Sequence, residues 1–307
     1  MAGYIVRRLV SGLITVLIVT ILLAFLINII PGDPVRMLFA MSQTTSAEQI
    51  EEIRHDLGLD LPWYKQYVKY VGEIVRGDWG ETIRGQQDVF HLLVIRIPNT
   101  ISLALAALLI ALIVGFPLGF FSAYKKGTPV DTISMTAAIV GVSMPHFWLG
   151  LMLMQLFAIK LEWLPVAGDG WENIILPALT LGLSQSAIIA RLTRSSMIDI
   201  LGQDFVRTAR SKGLREAVVL YRHVLRSGLV TVVAMLGLLF TYMLGGAVVV
   251  ENVFAWNGVG RFSVEHIMER DYPVIRGFIL MFALVVTGVS ILMDIVYGWL
   301  DPRIKRS

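Results

Sequence analysis

The chain contains no cysteine and few charged residues for its length. Of its 307 residues, 16% are Asp, Glu, Lys or Arg, whereas an average soluble domain has about 25%. The absence of cysteine excludes a disulfide framework, a thiol nucleophile and a thiolate metal site. The scarcity of charge, with 56% hydrophobic residues and a mean hydropathy of +0.71, indicates a chain whose main solvent is lipid.

Six stretches of the sequence carry no charge and are long enough to cross a bilayer. A helix needs about 17–25 apolar residues to span the hydrocarbon layer, and a charge at its centre costs about 2.5–3.5 kcal/mol. The sequence therefore predicts an all-α, polytopic membrane protein with six transmembrane helices, the first retained rather than cleaved. The charge-free runs are 9–30, 100–124, 132–159, 174–190, 227–250 and 277–293.

Basic residues are distributed unevenly between the connecting segments. With the N-terminus inside, the inner segments 1–8, 125–131, 191–226 and 294–307 carry 15 basic and 6 acidic residues. The outer segments then carry 11 basic and 17 acidic residues. Because cytoplasmic loops are enriched in Lys and Arg, we expect both termini in the cytoplasm. This bias also accounts for the net charge of +3, so no nucleic-acid partner is expected.

The outer segment 31–99 is too long for a plain connector. Thr45 and Glu48 have capping-box spacing, which predicts a helix starting at Ser46. A second helix is predicted from Pro62 to Gly77. Its apolar face would consist of Trp63, Tyr67, Tyr70, Val71 and Ile74. Two interpretations remain open, a lid packed on the membrane domain or a docking surface for an outside partner.

The inner loop 191–226 reads RLTRSSMIDILGQDFVRTARSKGLREAVVLYRHVLR and predicts a helix–glycine–helix elbow. Its first helix is expected over 204–212, with Asp204 as N-cap and with Arg210 and Lys212 in the last turn, where the helix dipole favours cations. Gly213 suits the left-handed conformation that turns the chain. The elbow either contacts anionic lipid head groups or docks a cytoplasmic protein.

This elbow resembles the cytoplasmic loop of bacterial ATP-binding-cassette importer permeases. RTARSKGL at 207–214 is similar to the oligopeptide, dipeptide, glutathione and nickel permease subfamily. Other segments resemble it in the same order along the chain: PGDP (31–34), LGLD (57–60), RGDWG (76–80), RLTRSSM (191–197), VENVFAWNGVGR (250–261), RDYPVI (270–275) and DIVYGWLDPRI (294–304). The outer insertion is similar to that of the first, B-type, of two paralogous permeases.

The resemblance implies a type I importer permease fold and a set of partners. Residues 1–98 would hold the first span and the helical outer insertion, 99–300 the transport domain, and 301–307 a cytoplasmic tail. Expected partners are a second permease, two cytoplasmic ATP-binding subunits, an extracytoplasmic solute-binding protein and the lipid of the bacterial inner membrane. ATP and magnesium would bind to the partner subunits, and this chain is expected to bind no cofactor.

The resemblance also assigns a coupling helix that enters a groove on the ATPase. Gly213 would give its turn, and Ala209 would permit close approach. The residues carried over are Asp204, Phe205, Arg207, Thr208, Ala209, Arg210, Lys212, Gly213, Leu214 and Arg215.

Two places in the spans are candidates for the translocation path or gate. Ser143, Pro145 and Phe147 interrupt the third run, where a simple proline kink is the alternative. Gly245 and Gly246, near the outer end of the fifth run, allow a bend or close helix packing.

Sequence motifs of catalysis are missing. The chain has no Walker A and no H-E-x-x-H pattern, and its five histidines are scattered, so we predict neither an enzyme nor a metal site. Asp294 is expected to pair with Arg303 or Arg306 near the end of the last span. The predicted function is a permease for di- or oligopeptides or glutathione. Nickel or another small solute is the alternative, and an ion-coupled secondary transporter, which needs buried acids near mid-membrane, is a less favoured one.

Overall fold

A computed structural model describes residues 2–29, 51, 55, 60–83, 85–168 and 170–300. The helix predicted from Ser46, the segments 31–34 and 57–59, and both Arg303 and Arg306 lie outside the described residues. Within the described part, regular structure is helical, and the only extended pairing is an isolated bridge between Glu81 and Asp88. The all-α prediction is confirmed.

The helices of the described part follow the charge-free runs and the predicted loop helices. Two π-helical turns, over Met154–Lys160 and Val219–Leu225, continue or connect neighbouring helices. In chain order the helices are α1 (Ala2–Ile29), α2 (Trp63–Val75), α3 (Val89–Val94), α4 (Ile97–Tyr124), α5 (Pro129–Ser143), α6 (His146–Leu153), α7 (Ile175–Leu201), α8 (Asp204–Ser211), α9 (Glu216–Val218), α10 (Arg226–Val253), α11 (Val259–Met268) and α12 (Tyr272–Leu300).

Within the described ranges, five stretches of helix are long and apolar enough to cross a membrane. They are Val6–Phe25, Val89–Tyr124, Trp171–Leu201, Met235–Val253 and Tyr272–Val296. A sixth crossing requires α5 and α6 to count as one span, although they are bent by 105° where they meet. The sequence prediction of six spans holds with that pair counted once.

The interpretation of the third run as a simply kinked helix is wrong. Met144 and Pro145 leave the helical conformation, with ψ angles of 125° and 137°. The ring of a proline disfavours the helical region for the residue before it, so two successive residues become extended. The run is therefore two helices with a sharp break between them.

The chain forms two compact units. The first comprises residues 1–98, 262–295 and 305–307, and the second comprises residues 99–261 and 296–304. The domain division at residues 98 and 99 that the resemblance implies stays a prediction.

In the first unit, α1 packs against α12 and α2. Gly12 allows this approach, because a Cβ there would lie 2.8 Å from the Thr287 side chain. Near the same helix ends, Arg8 forms an ion pair of 2.9 Å with Asp294. This ion pair joins residues from opposite ends of the chain, and the predicted pairing of Asp294 with Arg303 or Arg306 stays a prediction, since both arginines lie outside the described residues.

The first unit also contains the helix predicted after Pro62. It runs over Trp63–Val75, and Gly77 ends it with a φ of +86°. Beyond it, α3 buries Val89 and Leu93 against Gly277 of α12.

In the second unit, α7 is enclosed by its neighbours because small residues line the contacts. On α4, a Cβ at Gly115 or Gly119 would overlap a carbonyl oxygen of α7, that of Ser186 or Ala190. The two backbones are therefore in direct contact, as in small-residue packing within membranes. The hydroxyl of Thr180 bonds a carbonyl of its own helix, so this buried polar side chain is satisfied inside α7.

Candidate functional site

The elbow begins with α8, a short amphipathic helix. Val206 and Ala209 are buried on one side, while most of its other side chains are exposed. The predicted helix is confirmed over Asp204–Ser211. The prediction of Asp204 as N-cap is wrong, because Gln203 occupies that position and Asp204 is the first helical residue. Its carboxylate instead lies 3.7 Å from Arg207 at the surface, where a helix N-terminus favours an acid.

Gly213 turns the chain after α8. Its φ is +73°, a left-handed conformation that residues with a Cβ avoid. Its N–H donates to the Arg210 carbonyl at 2.9 Å, and Lys212 before it is the C-cap residue. A Cβ would meet no atom within 4 Å, so glycine is required by backbone geometry rather than by crowding. The sequence prediction for this turn is confirmed.

An ion pair closes the elbow across the turn. The Arg210 guanidinium donates to both carboxylate oxygens of Glu216, with Nη2 to Oε1 at 2.7 Å and Nε to Oε2 at 3.1 Å. This two-pronged bond fixes direction as well as distance. It lowers the pKa of Glu216 and raises that of Arg210, so both groups are charged at neutral pH. The pair holds the two arms of the elbow at a fixed angle.

The buried face of α8 belongs to a core that joins the elbow to the ends of two spans. Val206 and Ala209 contact the C-terminal ends of α4 and α7 and the π-helical turn after α9. Phe116 and Phe120 on α4 pack against this cluster. Its buried members are Ala123, Met197, Ile200, Val206, Ala209, Val219 and Val224. Because such packing is dense and resists deformation, a force on α8 is transmitted to both spans.

The outward face of the elbow combines apolar and basic side chains. The exposed fractions of Phe205 and Leu214 are 40% and 41%. Exposed Arg207, Lys212 and Arg215 surround them. Thr208, also exposed, bonds the Asp204 carbonyl. The structure thus brings together all the residues assigned to the coupling helix, some as its anchor and some as its exposed face.

A second ion pair beside this core escaped the sequence interpretation. Asp131, at the start of α5, is buried and accepts from Arg194 of α7, with Nε at 2.6 Å and Nη2 at 2.8 Å. The Gly127 N–H and the Ser122 hydroxyl also donate to it. The carboxylate therefore ties α4, α5 and α7 together next to the core that α8 shares with α4 and α7. Both charges lie at the edges of charge-free runs, which is the only signal the sequence offers.

The candidate gate residues are partly brought together. At the break between α5 and α6, His146 Nδ1 lies 3.0 Å from the Ser184 hydroxyl of α7. Gly246 of α10 faces the same place, because a Cβ there would lie 3.0 Å from Leu181 and 3.7 Å from the His146 ring. The break, α7 and α10 therefore converge.

The other proposed gate residues are exposed or make no close contact within the described part of the chain. A Cβ on Gly245 would contact nothing, and Ser143, Pro145 and Phe147 are exposed. Their assignment to the path stays a prediction.

A buried carboxylate, also missed from the sequence, organises the loop after α10. Glu251 is fully buried and accepts from the Thr100 hydroxyl and from the Arg261 N–H at 3.0 Å. Thr100 in turn accepts from the Val259 N–H at 2.9 Å. Gly258 and Gly260 lie so close to the carboxylate that a side chain on either would overlap it. The segment VENVFAWNGVGR thus runs from the end of α10 through a short loop to the start of α11, packed around one acid.

Comparison with known proteins covers the whole chain. Residues 115–306 match the family model described as binding-protein-dependent transport system inner membrane component, and residues 1–104 match its N-terminal companion. The glutathione transport system permease protein GsiC of Pectobacterium atrosepticum is 41% identical over 307 residues, covering 99% of each chain. GsiC of Escherichia coli K12 is 39% identical over 306 residues, again with 99% of each chain covered.

Solved structures share the fold at low sequence identity. An amino acid ABC transporter crystallised with histidines matches with a TM-score of 0.54 and 16% identity, over 67% of this chain and 92% of that chain. The MetNI methionine ABC transporter in an inward-facing conformation matches with a TM-score of 0.59 and 12% identity, over 68% and 96%. The chain therefore belongs to the family of inner membrane components of binding-protein-dependent transport systems, and it has the fold of an ABC importer permease.

Proposed function

We propose that this permease pairs with a second permease to carry glutathione or similar small peptides into the cell, driven by ATP hydrolysis on two separate cytoplasmic subunits. Relatives named as glutathione permeases align over nearly its full length at 39–41% identity, which supports the solute class. An extracytoplasmic binding protein would deliver the solute. Both termini would lie in the cytoplasm, as the basic residues of the inner segments indicate.

The observation that carries the proposal is the double character of α8. One face is anchored in the core shared with α4 and α7, and the other exposes Phe205, with Leu214 exposed just after the turn that follows the helix. A partner that grips the exposed face can move both spans, because the buried face cannot slip. ATP binding would draw the elbows of the two permeases together, and the spans would rock to open the central path outward.

Docking is tested with variants that change only the exposed face. Leu214→Asp and Lys212→Glu, alone and combined, should abolish co-purification of the ATP-binding subunits and reduce ATP-driven uptake of labelled glutathione by about tenfold or more. Both side chains are exposed, so the thermal stability of the permease should not change. Lys126→Glu, an exposed cation elsewhere on the predicted cytoplasmic face, is the matched control and should behave as wild type.

Three results would count against parts of the proposal. Wild-type binding of the ATP-binding subunits by the double variant would remove the exposed face of the elbow as the docking surface. Uptake by proteoliposomes that contain all subunits, persisting without ATP but abolished by an uncoupler, would instead identify an ion-coupled transporter. Uptake of nickel but not of glutathione or dipeptides would leave the proposed ATP-driven mechanism unchanged and identify nickel as the solute.

A further inference from the structure

The first unit contains a polar cavity on its predicted outer side. It lies between α2, the turn that follows it and the start of α12, and its volume is about 390 Å³. That volume falls in the range of small-molecule sites, about 300–1,000 Å³. The lining consists of Tyr70, Glu73, Asp78, Trp79, Gly80, Glu81, Thr82, Ile83, Gln86, Pro273 and Arg276.

Two buried donors in the cavity wall lack an acceptor. The Arg276 Nε and the Tyr70 hydroxyl are shielded from solvent, and neither has a hydrogen-bond partner among the described residues. The guanidinium carbon lies 5.6 Å from the centre of the Tyr70 ring. Burial raises the pKa of Tyr70 to about 12, so its hydroxyl remains a neutral donor at physiological pH. Unpaired buried donors are uncommon in native proteins and call for an explanation.

The remaining wall of the cavity is acidic. Among the described residues of the wall, Glu73, Asp78 and Glu81 contribute three carboxylates and Arg276 contributes a guanidinium. Asp78 accepts one backbone N–H, that of Gly80, at 2.9 Å, and Glu73 lies 3.9 Å from Lys69. The cavity wall thus combines a guanidinium and a phenol hydroxyl with several carboxylates.

We propose that this cavity binds a small zwitterion of peptide size, with its carboxylate directed to Arg276 and Tyr70 and its ammonium group to the acidic side. A guanidinium is well suited to a carboxylate, and clustered carboxylates attract an ammonium group. The choice of peptides as ligands rests on the proposed function. The site would hold solute at the outer surface of the permease itself, apart from any binding protein.

Binding is measured with the full-length chain in nanodiscs, without partner subunits, using tritiated dialanine. Competitors are unlabelled dialanine, N-acetyl-dialanine, which lacks the ammonium group, and dialanine amide, which lacks the carboxylate. We expect dialanine to compete at least tenfold better than either analogue. Equal competition by all three, or no saturable binding, overturns the proposal.

Variants assign the two ends of the ligand. Glu81→Gln should remove the preference for dialanine over its N-acetyl form, and Arg276→Gln should remove the preference over the amide. Arg276→Lys keeps the positive charge and should retain part of that preference, which separates ligand binding from a general loss of structure. Asp60→Asn, an exposed acid of the same unit outside the cavity, is the control and should bind as wild type. Unchanged preferences in both neutralised variants would refute the assignment.

Uptake by the complete transporter separates this inference from the proposed function. If the complete transporter takes up peptide with ATP but the isolated chain does not bind peptide, the cavity proposal is rejected and the proposed function stands. Binding with the expected preferences, but with no ATP-driven uptake, supports the cavity and rejects the proposed function.

Discussion

At the scale of single residues, two ion pairs lie at the end of the second unit that carries the elbow. Arg210 and Glu216 meet at the surface, within the elbow, whereas Asp131 and Arg194 meet in a mostly buried position. A surface pair contributes about 0–1 kcal/mol, but breaking a buried pair leaves a charge without compensation. The two pairs should therefore respond very differently to substitution and to pH.

The buried pair is tested by Asp131→Asn. The amide keeps the shape of the side chain but leaves Arg194 without a counter-charge. Since loss of one partner of a buried pair is strongly destabilising, we expect the apparent melting temperature in detergent to fall by about 5 °C or more. Asp204→Asn, at an exposed acid of the same unit, should shift it by about 1 °C or less. Equal shifts for the two variants would mean that the Asp131 bond adds no stability.

The elbow pair predicts a pH dependence with a definite sign. The bond from Arg210 holds the pKa of Glu216 below its ordinary value of 4.5. A carboxyl whose folded-state pKa is depressed adds stability above its unfolded-state value and loses it as pH falls through the folded-state value. Thermal unfolding of wild type and Glu216→Gln should therefore differ slightly, by about 0.5 kcal/mol, at pH 7. The difference should be unchanged at pH 6 and should shrink below pH 4.5. A difference that grows as the pH falls would contradict this assignment.

Sequence patterns predicted local residue geometry better than distant pairing. The left-handed turn at Gly213 follows from a glycine after a helix rich in terminal cations. The bond between Asp131 and Arg194 spans 63 positions, and no local pattern encodes such a distance. The ion pair of Asp294 with Arg8 spans the chain in the same way, and the partners that the sequence suggested, Arg303 and Arg306, lie outside the described residues.

At the scale of elements, glycines rather than large apolar residues set the distance between α4 and α7. Gly119 lies against the Ala190 carbonyl, with no space for a methyl group. Gly119→Ala should therefore force the helices apart and lower the melting temperature, although alanine favours a helix by about 1 kcal/mol. Gly245→Ala, at a helical glycine with open space around it, isolates that helix preference and should be neutral or stabilising. A stabilising effect at both positions would show that the contact is looser than described.

Charge-free runs located the long helices but misplaced some of their ends. The fourth run stops at residue 190, yet α7 continues to Leu201, because Arg191 and Arg194 lie in its C-terminal part rather than in a loop. In the sequence, the only sign of the break at Met144 and Pro145 is the proline itself. Its angle depends on how His146 and its neighbours pack on α7 and α10, which hydropathy does not report.

At the scale of the whole molecule, the orientation across the membrane is the main prediction open to direct measurement. Because the chain has no cysteine, single cysteines can be labelled without background. In right-side-out vesicles, Asp60→Cys and Glu162→Cys should react with a membrane-impermeant maleimide. Lys126→Cys and Lys212→Cys should react only after the vesicles are permeabilised. The reverse pattern would place the elbow outside and exclude ATP-driven coupling through α8.

The family and fold could be predicted from the sequence because their signals extend over the whole chain. The composition predicts a membrane protein, and the basic segments predict its orientation. The motifs, in their order along the chain, indicate the permease family. The polar cavity of the first unit could not be predicted, since Tyr70, Glu81 and Arg276 meet only after α2 and α12 have packed.

The break between α5 and α6 has a consequence for the bilayer around it. The 15 residues of α5 extend about 22 Å at 1.5 Å per residue, less than the roughly 30 Å of hydrocarbon. Carbonyl oxygens in its last turn have no following helical N–H groups, and hydrocarbon tails offer no substitute. For this helix to end where it does, water must therefore reach these carbonyl oxygens in the bilayer interior, or a companion subunit must cover them.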